Sequence, residues 1–113
     1  FEARVLPEDH RWETWFDADE LALPLTVRTR LPGDRMQPKG LNGTKKVQDM
    51  FVDAKIPRAK REGWPLVTDA EGRIVWIPGL RRSAIAAPNE HTRQWIRLDI
   101  RHLEPRPPER SAT

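Results

Sequence analysis

The chemistry that this sequence suggests first is the binding of an anion beside a glycine-rich loop. The loop over residues 39–44 (KGLNGT) is followed directly by Lys45 and Lys46. We expect Thr44 to cap a helix, which would place both ammonium groups beside free backbone amide donors that can hold a phosphate. The loop does not match the P-loop motif, in which lysine directly follows the second glycine. A plain loop before a capped helix is the alternative.

A second basic group follows the first helix. Pro57 is predicted to begin a short helix, with Lys55 just before it and Arg58 and Arg61 inside it. At a spacing of three the two arginines share a helix face, and their guanidinium groups can bind phosphates in a bidentate manner. The pair at residues 81–82 is predicted to lie on a loop after Pro-Gly. A solvated helix face is the alternative for this group.

No residues are grouped in a way that indicates catalysis or metal binding. The three histidines lie far apart and lack metal-ligand spacing. Neither serine lies in a nucleophile elbow. Asp49 and Asp53 share a predicted helix face, where capping or salt bridging is expected rather than metal coordination. The sequence therefore predicts no catalytic residue and no metal site.

Composition and charge limit the class of protein further. The chain has 113 residues, 37% of them hydrophobic and 33% charged, which suits one small domain. Cysteine is absent, which excludes disulfides and thiolate sites and is compatible with a cytoplasmic protein. No apolar run approaches the roughly 18 residues of a membrane span. Because the chain begins at Phe1 and not at methionine, we expect a fragment of a longer protein or a processed product.

The net charge of +3 is unevenly distributed. Residues 1–25 contain two basic and seven acidic side chains, whereas residues 26–63 contain ten basic and four acidic ones. Such blocks suggest one face for a polyanion and another for a different partner. The alternative is that both blocks are solvated surface.

Short alternating segments predict the elements that position these residues. Strands are expected over residues 1–6, 11–17, 25–31 and 95–102, and a hairpin is expected over 64–68 and 73–77. The helix after Thr44 would bury Val47, Met50, Phe51 and Ala54. The tryptophans of the hairpin are expected in the core. If the polyanion is RNA, it would therefore be recognised by its shape and backbone rather than by stacking of its bases on these rings.

These elements predict an α+β domain over residues 1–103 with two short helices in the middle. The leucines and valine of the segment 25–31 are expected on its buried face. The proline-rich residues 104–113 are expected to form a disordered tail.

Four motifs in this order resemble one family: PGDR, KKVQDxFxDxKIPRxxR, WPLV and VWIPGLR. They occupy roughly residues 25–82 and resemble the C-terminal domain of tRNA(Ile)-lysidine synthetase. The resemblance implies a small sandwich-like fold of mostly antiparallel sheets, related to a domain of the phenylalanyl-tRNA synthetase β chain.

In that family a separate N-terminal domain uses ATP and Mg²⁺ to join lysine to the wobble cytidine of tRNA(Ile) with the CAU anticodon. The C-terminal domain holds the tRNA, chiefly at its acceptor stem. The ATP loop is absent from this sequence, so the resemblance implies neither a cofactor nor a catalytic site in it. The implied tRNA backbone contacts, held as a hypothesis, are Arg35, Lys45, Lys46, Lys55, Arg58, Arg61 and Arg81.

The partners that the resemblance implies are tRNA(Ile), the catalytic domain of the parent ligase and, for a homodimer, a second copy. A competing interpretation is a structural or dimerisation module without RNA contact. A small-molecule enzyme using the hairpin cleft is a third interpretation, which the missing catalytic residues disfavour.

Overall fold

The computed structural model describes residues 12–100. The predicted strand over residues 1–6, the domain boundary at 103 and the predicted tail lie outside the described residues. None of the helices within 12–100 is long and apolar enough to cross a membrane. The elements are β1 (Glu13–Asp17), β2 (Thr26–Arg28), β3 (Arg35–Met36), β4 (Lys45–Lys46), α1 (Val47–Asp53), α2 (Arg58–Arg61), β5 (Leu66–Thr68), β6 (Ile74–Ile77), β7 (Arg81–Arg82) and β8 (Trp95–Asp99).

The strands of this α+β domain form antiparallel sheets. A four-stranded sheet has the order β2-β5-β6-β7, and two ribbons pair β1 with β8 and β3 with β4. The predicted hairpin is confirmed as β5 and β6. Asp69 stabilises its turn, because its carboxylate accepts hydrogen bonds from the backbone amides of Glu71 and Arg73 at 3.0 and 2.8 Å.

Two apolar clusters form the core, one on each side of the hairpin. Leu66 belongs to the first and Val67 to the second, because neighbouring side chains of a strand point to opposite faces. The first cluster contains Met36, Val47, Met50, Phe51, Leu66, Ile74 and Ile77, and the second contains Phe16, Leu21, Val67, Val75, Trp76 and Ala86. Ile96 and Leu98 of β8 pack against the second cluster, as the alternation predicts.

Both hairpin tryptophans contribute to this core. Trp76 is buried, and Trp64 packs against the first cluster while its indole Nε1 donates a hydrogen bond to the carbonyl of Pro78 at 2.7 Å. Trp64 also meets the ring of Phe51 edge to face, with 5.8 Å between centroids. The prediction of a core role is confirmed for both, although Trp64 is only partly buried.

The predicted start of the first helix is wrong. Lys45 and Lys46 form β4 and pair with Met36 and Arg35, and α1 begins only at Val47. Thr44 does not cap the helix: its Oγ1 accepts a hydrogen bond from Nε of Arg35 at 3.0 Å. The pairing of β3 with β4 takes Lys45 and Lys46 into a strand and overrides the capping signal. The predicted burial of Val47, Met50 and Phe51 is confirmed, whereas Ala54 is exposed at the helix end.

Two further predictions need correction. The strand predicted over 25–31 ends at Arg28, and Val27 and Leu31 are 65% and 55% exposed. It ends early because the chain turns between Leu31 and Asp34, where the Asp34 amide donates to the Leu31 carbonyl at 3.2 Å. Residues 81–82 are not a loop but strand β7, which pairs with β6.

Candidate nucleic-acid interface

The β3–β4 ribbon carries three of the seven predicted RNA-binding residues. Opposed residues of an antiparallel pair share a face, so Arg35 and Lys46 lie on one face, and Lys45 and the buried Met36 lie on the other. The two lysines therefore do not converge on one phosphate, as a helix start would have allowed. They lie on opposite faces of the ribbon.

The face with Lys46 includes a cation that the sequence did not single out. Lys46 and Arg30 line a small cavity of about 90 Å³ together with Gly33 and Gln48. Arg30 is partly buried as a residue. Its Nε atom is buried and has no hydrogen-bond partner in the part of the chain that the structure describes. Arg30 therefore adds positive charge beside Lys46, and the carboxylate of Asp34, which lines the same cavity, offsets part of that charge.

The opposite face brings Lys45 together with Arg81. Both line a cavity of about 200 Å³ with Leu80 and Asp53. The ammonium group of Lys45 forms an ion pair with Asp53, which confirms the predicted salt-bridging role for that carboxylate. The guanidinium of Arg81 donates to the carbonyl of Lys39 at 3.0 Å. Arg81 is thus positioned beside Lys45 by the β6–β7 turn.

The remaining predicted residues lie at the junction of α1 and α2. Lys55 has a φ of 60°, and the amides of Lys55 and Ile56 donate to the carbonyls of Val52 and Phe51 at 2.9 and 3.0 Å. This is the hydrogen-bond pattern of a Schellman motif, in which glycine is the usual residue at the left-handed position. A lysine there leaves its ammonium group exposed at the helix end.

In α2, Arg58 and Arg61 are held differently. The Nε of Arg61 donates to the carbonyl of Ile56 at 2.8 Å, which orients the guanidinium along the turn. Arg58 is exposed, and its side chain makes no hydrogen bond or ion pair within residues 12–100. The spacing of three places both on one side of the helix.

Most of this set carries positive charge that no carboxylate neutralises, a property shared within residues 12–100 by Arg30, Lys39, Lys60, Arg82 and Arg93. Within residues 12–100, Lys45 alone among the seven is ion-paired, and the six others form no ion pair with an acidic side chain. Elsewhere in the same range Arg28, Arg73 and Arg97 each form an ion pair with aspartate or glutamate. Six of the seven predicted residues therefore keep their charge available for an external anion.

Arg82, the neighbour of Arg81, is a structural residue. Its guanidinium lies 4.2 Å from the centroid of the Phe16 ring and donates to Thr14 Oγ1 and the Ile85 carbonyl, both at 3.0 Å, and to the Trp15 carbonyl. Burial lowers the pKa of Arg82 to about 10, which still leaves the group charged at neutral pH. Its donors hold β7 against β1 and are not available to a ligand.

Sequence reasoning missed two exposed tryptophans on the β1–β8 ribbon. Trp15 is 38% and Trp95 53% exposed, and their rings meet edge to face with 5.9 Å between centroids. A signal was present, because Trp15 and Phe16 are adjacent in one strand and must face opposite sides. Phe16 is fully buried, so Trp15 is the one that faces outward.

The acidic residues and histidines between residues 12 and 100 form no group of three or more that could hold a metal ion.

Three comparisons relate the chain to known proteins. The model of the TilS substrate C-terminal domain matches residues 25–100. The tRNA(Ile)-lysidine synthase of Geobacillus kaustophilus is 49% identical over 99 residues, which are 86% of this chain and 21% of that protein. The synthase of Bacillus subtilis is 50% identical over 78 residues, covering 68% of this chain and 16% of its own length. The chain thus spans about a fifth of these curated relatives.

Among solved structures, the crystal structure of a TilS C-terminal domain superimposes with a TM-score of 0.70 at 40% identity, covering 90% of this chain and 81% of that one. An N-terminal fragment of the phenylalanyl-tRNA synthetase β subunit from Pyrococcus horikoshii gives a TM-score of 0.66 at 16% identity, covering 75% of this chain and 26% of that one. At that identity the second likeness shows a shared fold alone.

Proposed function

This chain belongs to the TilS substrate C-terminal domain family, and from that membership we propose that it holds tRNA(Ile) with the CAU anticodon by its acceptor stem. It is the C-terminal domain of a tRNA(Ile)-lysidine synthase. The whole enzyme, in this proposal, joins lysine to the wobble cytidine. ATP and Mg²⁺ act in its N-terminal catalytic domain, and the enzyme works in the cytoplasm.

The observation that carries the proposal is the exposed positive charge that no carboxylate neutralises. Lysine and arginine side chains that contact phosphates supply most of the affinity for nucleic acid, since they release condensed counterions. Double-stranded RNA is recognised mainly through its shape and backbone, which suits such a surface. The assigned contacts are Arg35, Lys46, Lys55, Arg58, Arg61 and Arg81, with Lys45 contributing after its ion pair with Asp53 rearranges.

The dependence of tRNA affinity on salt tests this role. We expect the affinity of the chain to fall steeply as salt rises, and Arg58→Ala to reduce the slope of log affinity against log salt by about 0.7–0.9, the share of one phosphate contact. Arg93→Ala is the matched control, because it removes the same charge from an exposed arginine that is not among the seven assigned contacts. Equal slopes for the wild type and Arg58→Ala would remove Arg58 from the interface.

A structural or dimerisation role is the second candidate, and the exposed apolar side chains near β2 favour it. Leu23, Val27 and Leu31 are 52%, 65% and 55% exposed, and β2 is an edge strand whose other side pairs with no strand in the described range. Sedimentation would separate the roles. Self-association that Val27→Asp abolishes, without any tRNA affinity, would support this candidate over RNA binding.

A further inference from the structure

We propose that the cavity beside Trp15 binds one unpaired nucleotide of the RNA, with its base stacked on the Trp15 indole and its phosphate between Lys39 and Arg81. The inference rests on the proposed function and specifies a subsite within it. The 3′ end of a tRNA acceptor stem carries such unpaired nucleotides directly beside the double helix. One domain could therefore contact both parts of the acceptor end.

The cavity has the size and walls for this ligand. Its volume is about 540 Å³, and Trp15 forms one wall while Lys39, Gly40 and Arg81 belong to the loop and strand that complete it. Trp15 is held in place from outside the cavity, because the ring of Trp95 meets it edge to face at 82° between planes. A supported ring that still exposes 38% of its surface is suited to stacking on a base.

Charge at the rim favours a nucleotide over an apolar group. Lys39 and Arg81 are exposed and both line the cavity, and Arg81 donates a hydrogen bond to the backbone carbonyl of Lys39. Arg81 and Leu80 also line the neighbouring cavity that contains Lys45. The cations therefore continue from the stacking wall toward the face of the ribbon that carries Lys45, a path that a phosphate backbone can follow.

One acidic residue, Glu13, lines the same cavity. Glu13 is only 9% exposed, and its carboxylate lies 3.7 Å from the guanidinium of Arg97. Its charge is thus buried and only partly offset, because Glu13 Oε2 has no hydrogen-bond partner within residues 12–100 and Arg97 also pairs with Asp99 at 3.2 Å. Glu13 lies at the wall of the cavity, away from the exposed rim that carries Lys39 and Arg81. Arg82, also at this cavity, is fully engaged with carbonyl and hydroxyl groups of its own chain, so Lys39 and Arg81 are the cations left for a phosphate.

The test compares two RNA hairpins that copy the acceptor stem, one with the unpaired 3′ nucleotides and one without them. We expect wild-type chain to bind the extended hairpin about tenfold more tightly, which is the range of one stacked base. Trp15→Ala should bind both hairpins with equal affinity, that of the wild type for the blunt one. Trp15→Phe keeps an aromatic ring and should keep most of the preference. Circular dichroism confirms that the variants are folded.

The outcomes separate this inference from the proposed function. If the wild type binds both hairpins equally well, or if Trp15→Ala retains the preference, the nucleotide subsite is wrong while stem binding stands. If neither hairpin binds at low salt, the proposed function fails as well. Protection of Trp15 by a protein partner, with no effect of the extension, would assign the exposed indole to a protein interface instead.

Discussion

Arg81 and Arg82 are adjacent arginines with opposite roles. The side chains of successive strand residues point to opposite faces, so Arg81 reaches the surface while Arg82 is directed toward Phe16 and β1. The difference depends on which face of β7 is covered, and that is decided by strand β1, far away in sequence. The sequence pattern alone identifies two adjacent arginines but does not show which of them is exposed and which is buried.

This contrast predicts two different mutant phenotypes. Arg82→Ala should lower the free energy of unfolding by about 2–3 kcal/mol, because several buried carbonyl and hydroxyl acceptors lose a charged donor. Arg81→Ala should change it by less than about 0.5 kcal/mol, as is usual for exposed residues, yet weaken tRNA binding. Urea unfolding of both variants, with a tRNA titration of Arg81→Ala, checks the pair. Equal losses of stability would contradict the assignment.

Asp34 organises the turn that ends β2. Its carboxylate accepts hydrogen bonds from both terminal nitrogens of Arg28 at 3.0 Å and from the amide of Leu31 at 2.7 Å. Burial alone would raise its pKa, but these hydrogen bonds outweigh burial and the pKa lies below the usual 3.8. The hydrogen bond with Asp34 likewise raises the pKa of Arg28. The ion pair therefore stabilises the ionised form of Asp34.

A depressed carboxyl pKa stabilises the fold above the unfolded value and loses that contribution as pH falls through the folded one. Asp34→Asn should therefore cost about 1–2 kcal/mol of unfolding free energy at pH 7. The difference between variant and wild type should shrink as pH falls below 3.8. Urea unfolding over a pH series measures this difference. A difference that stays constant down to low pH would show that the charge of Asp34 is not what stabilises the turn.

At the scale of elements, local patterns predicted what local interactions decide. The β5–β6 hairpin and the buried face of α1 follow from alternation and helical spacing, and both are present. The strands β3 and β4 are two residues each and pair across a glycine-rich loop. So short a ribbon has no periodic signal of its own. Because Lys45 and Lys46 belong to this ribbon, α1 begins only at Val47, and the two lysines lie on opposite faces of the ribbon.

The turn between β6 and β7 depends on a glycine for two reasons. Gly79 has a φ of +82°, and a Cβ there would lie 2.6 Å from Cη2 of Trp12. Gly72, in the hairpin turn, has a φ of +85° but open space around it. Both positions need a left-handed backbone conformation, but only at Gly79 would an added Cβ lie too close to another side chain.

Gly72→Ala should cost about 1 kcal/mol of unfolding free energy, the strain of a left-handed residue with a side chain. Gly79→Ala should cost about 2–3 kcal/mol, because Trp12 must also move away from its position. Urea unfolding of the two alanine variants provides the comparison. Equal costs would mean that the contact between Gly79 and Trp12 does not constrain the turn.

At the scale of the whole molecule, the segment from 26 to 63 contains six of the seven assigned basic residues, and the β5–β6 hairpin packs with α1 in the first core cluster. The sequence motifs indicated the family, and the comparisons confirm it. The motifs did not indicate Arg30, Trp15 or Trp95, because exposure is set by packing between distant segments. The assignment of the seven basic residues to RNA remains a proposal.

The central claim is that this domain alone recognises the acceptor stem through its backbone. The most direct measurement titrates the chain with unmodified tRNA(Ile) bearing the CAU anticodon and with a hairpin that copies its acceptor end, at two salt concentrations. The account predicts comparable affinities for both RNAs and the same steep loss of affinity at the higher salt. Binding to the tRNA without binding to the hairpin would contradict it and place the contact elsewhere on the tRNA.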